Sequence, residues 1–429
     1  MTVGEMFTVF LDNLKIDNGD QIALRYGEVT ASLNKAFRDS ESKTANSLQV
    51  GSYGRWTAIK GTSDLDMLYV MPQGKWGKYQ NGRQLQLLQD TKEAIKARYP
   101  KTDVRVDRLV VTVSYANFHI EVQPVFEQKD GSFKYPDTYN GGSWKPTKPR
   151  EEIRAMKEFV DQKNKNLRRL CKIVRAWKNK HGVAMGGLLI DTLSYNFLRG
   201  TSEYDNKGVS SYADMSRDFF KYLMDQPVQS HYKALGSGQN VRVKKKFQRK
   251  AKKAYELCLK AIESGDSKSA NDKWKKVFGQ PFPAAHDEAG GAVTESAKGW
   301  DNTEEFIEDK YPVDIRYSLQ LECEVSQDGF REHFLTYMIT KKIPLLARKK
   351  LLFSVEECDV PKPYVVKWKV LNRGLTAQQR NCIRGQILSD DGLMKRKEST
   401  DFKGNHIVEC YAVKSGVVVA KDRISVPIQ

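Results

Sequence analysis

The sequence has no C-x-x-C pair. Its six cysteines (Cys171, Cys258, Cys323, Cys358, Cys382 and Cys410) are scattered, and none of its six histidines stands at metal spacing from one of them. This argues against a zinc knuckle or a disulfide framework, so buried thiols in a reducing cytosol are expected. No apolar run approaches the ~18 residues of a membrane span, and no membrane partner is expected. The opening Met1-Thr2-Val3-Gly4-Glu5-Met6 lacks the basic and apolar regions of a signal peptide, so a cytoplasmic location is expected. No repeat recurs at solenoid period. Acidic residues are in deficit: 53 Asp and Glu face 71 Lys and Arg, a formal charge of +18. That surplus suits polyanions such as nucleoside triphosphates, nucleic acid or an acidic membrane surface, beside the plainer reading of a basic soluble surface.

What is present is ordinary globular composition, 40% hydrophobic and 29% charged over 429 residues, enough for two or three units. Residues 5–45 read as helical. Leu65 and Met67–Met71 read as a strand stopped by Pro72, 82–98 as a helix, and Val104–Tyr115 and Phe118–Phe126 as β-rich runs. From 151 to 262 the pattern is mainly helical, most clearly over 166–181. A long loop is expected over 265–300, where Gly, Ser and Pro cluster, with helix and strand resuming beyond it. Alternating runs at Tyr364–Val370, Ile407–Val413 and Val417–Ile424, punctuated by glycines, read as a separate all-β module. The expected division is 1–200, 201–345 and 346–429.

The chemistry concentrates in Gly51-Ser52 and Ser63-Asp64-Leu65-Asp66. Two acids at i and i+2 of a strand point the same way and can share one or two Mg²⁺ ions, which take oxygen ligands together with substrate phosphates. Gly51 and Ser52 offer close backbone approach and a hydroxyl to a triphosphate tail. A third acid is needed for the ion that activates an attacking hydroxyl. Glu121, in the apolar run Phe118–Phe126, is the candidate, with Asp107 as its rival. His119 shares the Glu121 face at period two, either toward a phosphate or base or as an ordinary strand histidine.

Gly51-Ser52, eleven residues, then Asp64-Leu65-Asp66 resembles the polymerase-β-like nucleotidyltransferase signature. With Ile120–Phe126 and Arg175-Ala176-Trp177-Lys178, it is closer still to the bacterial CD-NTases, relatives of cyclic GMP-AMP synthase and oligoadenylate synthetase. Trp368–Gly374, Ile383–Ile387 and Gly404-Asn405-His406 resemble the adenylyl/guanylyl and SMODS C-terminal sensor domain. The resemblance implies an α+β fold: a polymerase-β-like palm with a helical lobe, plus a small C-terminal β-sandwich. It implies an Mg²⁺-dependent enzyme, with Mn²⁺ able to substitute. That enzyme joins nucleoside triphosphates, ATP among them, into a cyclic di- or trinucleotide and releases pyrophosphate. Such enzymes serve antiphage (CBASS) signalling, which implies regulatory protein partners. Many relatives carry Asp where this chain has Glu121.

The resemblance also implies nucleotide contacts at Gly51, Ser52, Ser63, Lys172, Arg175, Thr192, Ser194 and Tyr195, the Tyr195 ring stacking on a base. Arg168, Lys172 and Arg175 fall on one face of the 166–181 helix, where a solvated charged face is the plainer reading. The basic run Arg242–Lys253 reads as a solvated helix face, a lid or a nucleic-acid groove. The C-terminal module carries no acid triad or Gly-Ser loop and is expected to bind a ligand, a partner or the catalytic unit itself, with Trp368, Asn372, Arg373, Arg384 and His406 as contacts, or Trp368 as plain sandwich core. Two other functions stay open: a transferase that modifies RNA, a protein or a small molecule, and an inactive nucleotide- or RNA-binding sensor.

Overall fold

The computed structural model describes every residue except 117, 285–302, 328–331 and 402. It divides into one unit of residues 1–177 and 186–283 and a second of residues 178–185 and 284–429.

The first unit is built on a seven-stranded mixed sheet. Its strands are β1 (Ser47–Gln49), β2 (Asp64–Val70), β3 (Asp103–Val106), β4 (Val111–Ser114), β5 (His119–Glu127), β6 (Phe133–Asp137) and β7 (Ser143–Thr147). The order is β1-β2-β5-β4-β3, with β6 and then β7 added beyond β5. Only β2 and β5 run parallel, which requires a crossover; the helix Gln84–Arg98 and the β3–β4 hairpin supply it. Leu65, Met67 and Tyr69 of β2 and Ile120 and Val122 of β5 are fully buried, packed with Val29 and Leu33 of the helix Gly19–Arg38 and Leu87 and Ile95 of Gln84–Arg98. Buried Asn34 donates to the carbonyls of Ser42 and Ala45 and accepts from Asn46 and the Tyr69 hydroxyl, pinning the turn that leads into β1.

The rest of this unit is helical: Pro149–Gln162, Asn166–His181, Gly187–Arg199, Tyr212–Met224, Gln248–Ile262 and Lys268–Phe278, with a short hairpin of β8 (His231–Lys233) and β9 (Asn240–Arg242). The expected loop over 265–300 is helical at 268–278, because Ala270, Trp274, Val277 and Phe278 recur at helical spacing and are buried; its 285–300 part lies outside the described residues. The first helix, Val3–Asn13, opens with a Thr2–Glu5 capping box. It packs on the helical lobe, with Phe7 5.2 Å from Trp274 and Phe10 stacked 5.0 Å from Phe278.

The second unit holds two antiparallel four-stranded sheets. One contains β10 (Leu319–Ser326), β11 (His333–Phe334), β12 (Lys350–Cys358) and β15 (Lys395–Ser399). The other contains β13 (Val365–Leu371), β14 (Arg384–Ser389), β16 (Gly404–Lys414) and β17 (Val417–Ile428). Leu321, Cys323 and Phe353 of one sheet share a core with Trp368, Cys410 and Val419 of the other. The expected boundary at 345/346 falls inside this unit, since β10 pairs along β12 and Val313 bridges Val418. Residues 178–185 belong here too: Lys178 reaches Asp314 (2.8 Å) and the Ile315 carbonyl (2.7 Å).

Of the contacts expected in this module, Trp368 is core, 2% exposed, its indole N–H donating to Asp390. Asn372, Arg384 and His406 line one recess of about 440 Å³, part of it open to solvent, with Arg384 paired to Glu398. Arg373 is exposed and donates its backbone N–H to His406 Nδ1.

Phe7 has no exposed surface, so Phe7→Ala removes a ring that nothing else can replace. The expected cost is about 3–5 kcal/mol. It should appear as a lowered urea midpoint when unfolding is followed by tryptophan fluorescence, since Trp274 lies against Phe7.

Candidate active site

The β2–β5 register pairs Asp64 with His119 and Asp66 with Glu121. Residues between them, Leu65 and Ile120, point into the core at 1% and 0% exposure. By period two, Asp64, Asp66, His119 and Glu121 therefore share the opposite face, where all four are half-buried. Asp107, the rival third acid, sits exposed in the β3–β4 turn and accepts from the Arg108 N–H.

Gly51 enters a short helical turn, Gly51–Gly54, at φ +63°. A Cβ there would lie 1.7 Å from Asp66 Oδ2, so only glycine lets the loop rest against that carboxylate. The Val50 N–H donates to the Asp66 carbonyl (3.0 Å). The Ser52 carbonyl accepts from Thr57 and Ala58, the Tyr53 hydroxyl donates to the Thr62 carbonyl, and Ser63 Oγ donates to Asp64 Oδ1 (3.0 Å). Residues 51–64 thus close on themselves.

A buried ionic network holds this loop to the helical lobe. Arg55 Nε meets Asp191 Oδ2 at 2.8 Å and Arg55 Nη1 meets Glu152 at 3.2 Å; Arg175 meets Asp191 Oδ1 at 2.6 Å. The Thr57 hydroxyl also donates to Asp191, and Ser237 donates to Glu152. Burial pushes the Asp191 pKa upward, but the Arg175 and Arg55 guanidiniums outweigh it and hold the group at about 2. For Glu152 burial prevails over Arg55, and its pKa is raised.

The structure distributes the other expected contacts unevenly. Arg175 is buried; it donates to Asp191 and to the Cys171 and Gly187 carbonyls, so it faces the network and not an open surface. Thr192 and Ser194 are fully buried, and Thr192 Oγ1 accepts from the Leu235 N–H. Tyr195 packs against Phe159 at 4.5 Å. The cause is local: the Gly187–Arg199 helix buries every residue from Leu189 to Ser194.

Lys172 and Arg168 remain half-buried on the preceding helix. Burial lowers the Lys172 pKa, and repulsion from Arg168, Arg175 and Lys15 lowers it further. Such a concentration of positive charge favours an anion.

Two residues escaped the sequence reading. Asp191 is the counter-charge of the network; an isolated acid in an apolar helix was the available signal, since a buried carboxylate needs partners. Trp56 stands 68% exposed on the Gly51–Ser63 loop, its ring 5.8 Å from the Arg168 guanidinium carbon. Nothing local in the sequence marked it.

Among the described residues, no group of three or more His, Cys, Asp or Glu side chains is gathered into a ready-made metal cage. Mg²⁺ does not require one, because it is usually bound through one or two carboxylates plus substrate phosphates. The same-face pair Asp64 and Asp66, next to a glycine that leaves the Asp66 carboxylate room, fits that chemistry.

Residues 1–159 match the Second Messenger Oligonucleotide or Dinucleotide Synthetase domain, and residues 301–429 match the Adenylyl/Guanylyl and SMODS C-terminal sensor domain. A probable cyclic nucleotide synthase of Bacillus cereus strain VD146 is 22% identical over 207 residues, 45% of this chain and 61% of that protein. The match thus spans less than two thirds of that relative. Over 66% of the chain the fold is similar to that of Escherichia coli MS115-1 CdnC. The structure with ATP superimposes with TM-score 0.50 at 16% identity, covering 66% of this chain and 99% of CdnC. Its complex with HORMA-deltaN does so with TM-score 0.50 at 15% identity, covering 65% and 98%.

Asp191→Asn leaves Arg55 and Arg175 with Glu152 as the remaining carboxylate of the network, and about 3–5 kcal/mol of stability should be lost at neutral pH. The Asp191 pKa is depressed from 3.8 to about 2, so its contribution is complete above 3.8 and disappears as pH falls toward 2. Glu152, raised from 4.5, acts oppositely: it favours the fold below 4.5 and loses that effect as pH rises through its folded value. Thermal melts from pH 6 to 2 should show the Asp191 acid-side loss in the wild type and not in the variant.

Proposed function

The chain belongs to the bacterial CD-NTases, a synthetase domain followed by a sensor domain, and from this we propose that it joins nucleoside triphosphates into a cyclic oligonucleotide second messenger. The observation that carries the reading is the β2–β5 register, which sets Asp64, Asp66 and Glu121 on one face beside Gly51.

In the proposed reaction the ribose hydroxyl of one nucleotide attacks the α-phosphorus of another. A P–O bond forms, the bond to pyrophosphate breaks, and a second transfer closes the ring. Asp64, Asp66 and Glu121 would hold Mg²⁺, or Mn²⁺ in its place. When bound, the metal neutralises phosphate charge and lowers the pKa of the attacking hydroxyl. Glu121 draws the proton from that hydroxyl. Gly51 and Ser52 admit the triphosphate to the backbone, and Ser63 orients Asp64 through its hydroxyl. Lys172 and Arg168 add positive charge toward the phosphates. Positioning and electrostatics supply most of the rate.

We further propose a role in antiphage defence, in the cytoplasm, under a regulatory protein. CdnC has been solved with a HORMA protein, which supports a partner of that kind. Among the described residues no helix is long and apolar enough to cross a membrane.

The test is to incubate purified protein with the four labelled nucleoside triphosphates and Mg²⁺ or Mn²⁺, and to identify the phosphatase-resistant product by mass. A cyclic product is expected. Label attached to RNA, a protein or a small molecule would instead show the other transferase activity, and binding without turnover would show a sensor. Asp64→Asn and Asp66→Asn should each abolish product. Glu121→Gln should retain nucleotide binding and lower synthesis by at least about 100-fold.

A further inference from the structure

Trp56 breaks two rules at once. Its φ is +63°, a conformation that is costly for a bulky side chain, and 68% of its surface is exposed. A strained backbone and an apolar ring in water both oppose folding, so the position is not explained by stability. The loop offers no slack to relieve it. The Trp56 N–H donates to the Tyr53 carbonyl, Thr57 is held by the Ser52 carbonyl and by Asp191, and Arg55 is locked between Glu152 and Asp191. The ring is therefore displayed at a set place, four residues beyond Ser52.

Its one described ring partner is a cation. The Arg168 guanidinium carbon lies 5.8 Å from the ring centroid, within cation–π range. Arg168 Nε is buried with no hydrogen-bond partner among the described residues, and burial lowers the group's pKa. Arg168 is also one helical turn from Lys172, in the cationic group assigned above to phosphate. The indole thus sits on the loop that begins with Gly51–Ser52, braced by Arg168, with most of its surface left to solvent.

We propose that Trp56 is a stacking platform for the base of a bound nucleoside triphosphate, with Arg168 bracing the indole. This rests on the reading of Gly51–Ser52 and Asp64–Asp66 as a triphosphate site. Stacking on an indole is tolerant of base identity, because every base presents a π-face. The platform therefore contributes affinity for nucleosides as a class, and Trp56 is a binding residue separate from the carboxylates that carry the chemistry. The cost of exposing the ring is offset when a base covers it.

The experiment compares ATP, which carries a base, with inorganic tripolyphosphate, which does not. Binding of each is measured by calorimetry, in the presence of Ca²⁺ to suppress turnover, for wild type, Trp56→Phe, Trp56→Ala and Trp56→Gly. Trp56→Ala and Trp56→Gly should weaken ATP binding by about ten-fold or more, leave tripolyphosphate binding unchanged, and Trp56→Phe should stay near wild type. Trp56→Gly should keep or raise Tm, because glycine accepts the positive φ. ATP affinity unchanged in Trp56→Ala overturns the proposal. So does an equal loss for ATP and tripolyphosphate, or a lowered Tm in Trp56→Gly, since either makes Trp56 a support of the loop. If Trp56→Ala binds ATP normally while Asp66→Asn does not, only the platform fails. If the wild type binds no nucleoside triphosphate, the reading of the site fails with it.

Discussion

Seven register steps, from Asp64 opposite His119 to Val70 opposite Val125, hold β2 and β5 parallel, and the site depends on that ladder. A slip of one residue would turn every side chain of one strand to the other face. Leu65, Met67, Ile120 and Val122 forbid the slip, because each is buried at 1% exposure or less and would have to enter water. The same slip would drive Asp66 or Glu121 into an apolar core, where an unpaired carboxylate is costly. Hydrophobic burial on one face thus sets the spacing of three acids on the other. Like charges on one face disfavour one another, which makes the face receptive to cations.

The loop before β2 is placed by a different force. Arg55, Arg175, Glu152 and Asp191 form a buried ionic group with side-chain exposures from 0% to 7%. Taking such charges out of water offsets much of their attraction, so the group contributes little as net stability when intact. Its effect is on geometry. It gives the Gly51–Ser63 loop one orientation against the helical lobe, and the Trp56 ring one position above Arg168. Arg175, expected to contact phosphate, pairs with Asp191 in this group at 2.6 Å, beside Arg55.

The second unit has ion pairs of its own, Lys369 with Glu304 (2.8 Å) and Arg384 with Glu398 (2.7 Å). Two antiparallel sheets share an apolar core, and a two-residue Ser415-Gly416 turn joins its longest strands, both residues at positive φ as a tight hairpin of that twist requires. The polar residues Asn372, Arg384, Glu398 and His406 gather at a recess lined also by Phe353, Val408 and Val426. That division leaves the metal-fitting acids in the first unit.

Features set by short-range rules were legible in the chain itself. The same-face placement of Asp64 and Asp66 follows from the two-residue strand period, the helix at 166–181 from its apolar spacing, and the β-rich tail from alternation between glycine turns. Gly51 was legible as a close approach, although its neighbour, Asp66 Oδ2, was not. Features set by pairing between distant segments were not legible. Strand propensity placed Glu121 on a strand, but its register against Asp66 depends on which strands adjoin. Periodicity could not show that the Gly187–Arg199 helix is covered around Asp191, Thr192 and Ser194, because burial is decided by the neighbouring elements. The second unit begins upstream of residue 346 because β10 finds β12 across an intervening helix. The positive φ of Trp56 is imposed by bonds that lock the residues on both its sides. Local sequence determined which residues were capable of the chemistry. Tertiary packing decided which of them meet, since long-range contacts are chosen by the shared burial of surfaces that no local window contains.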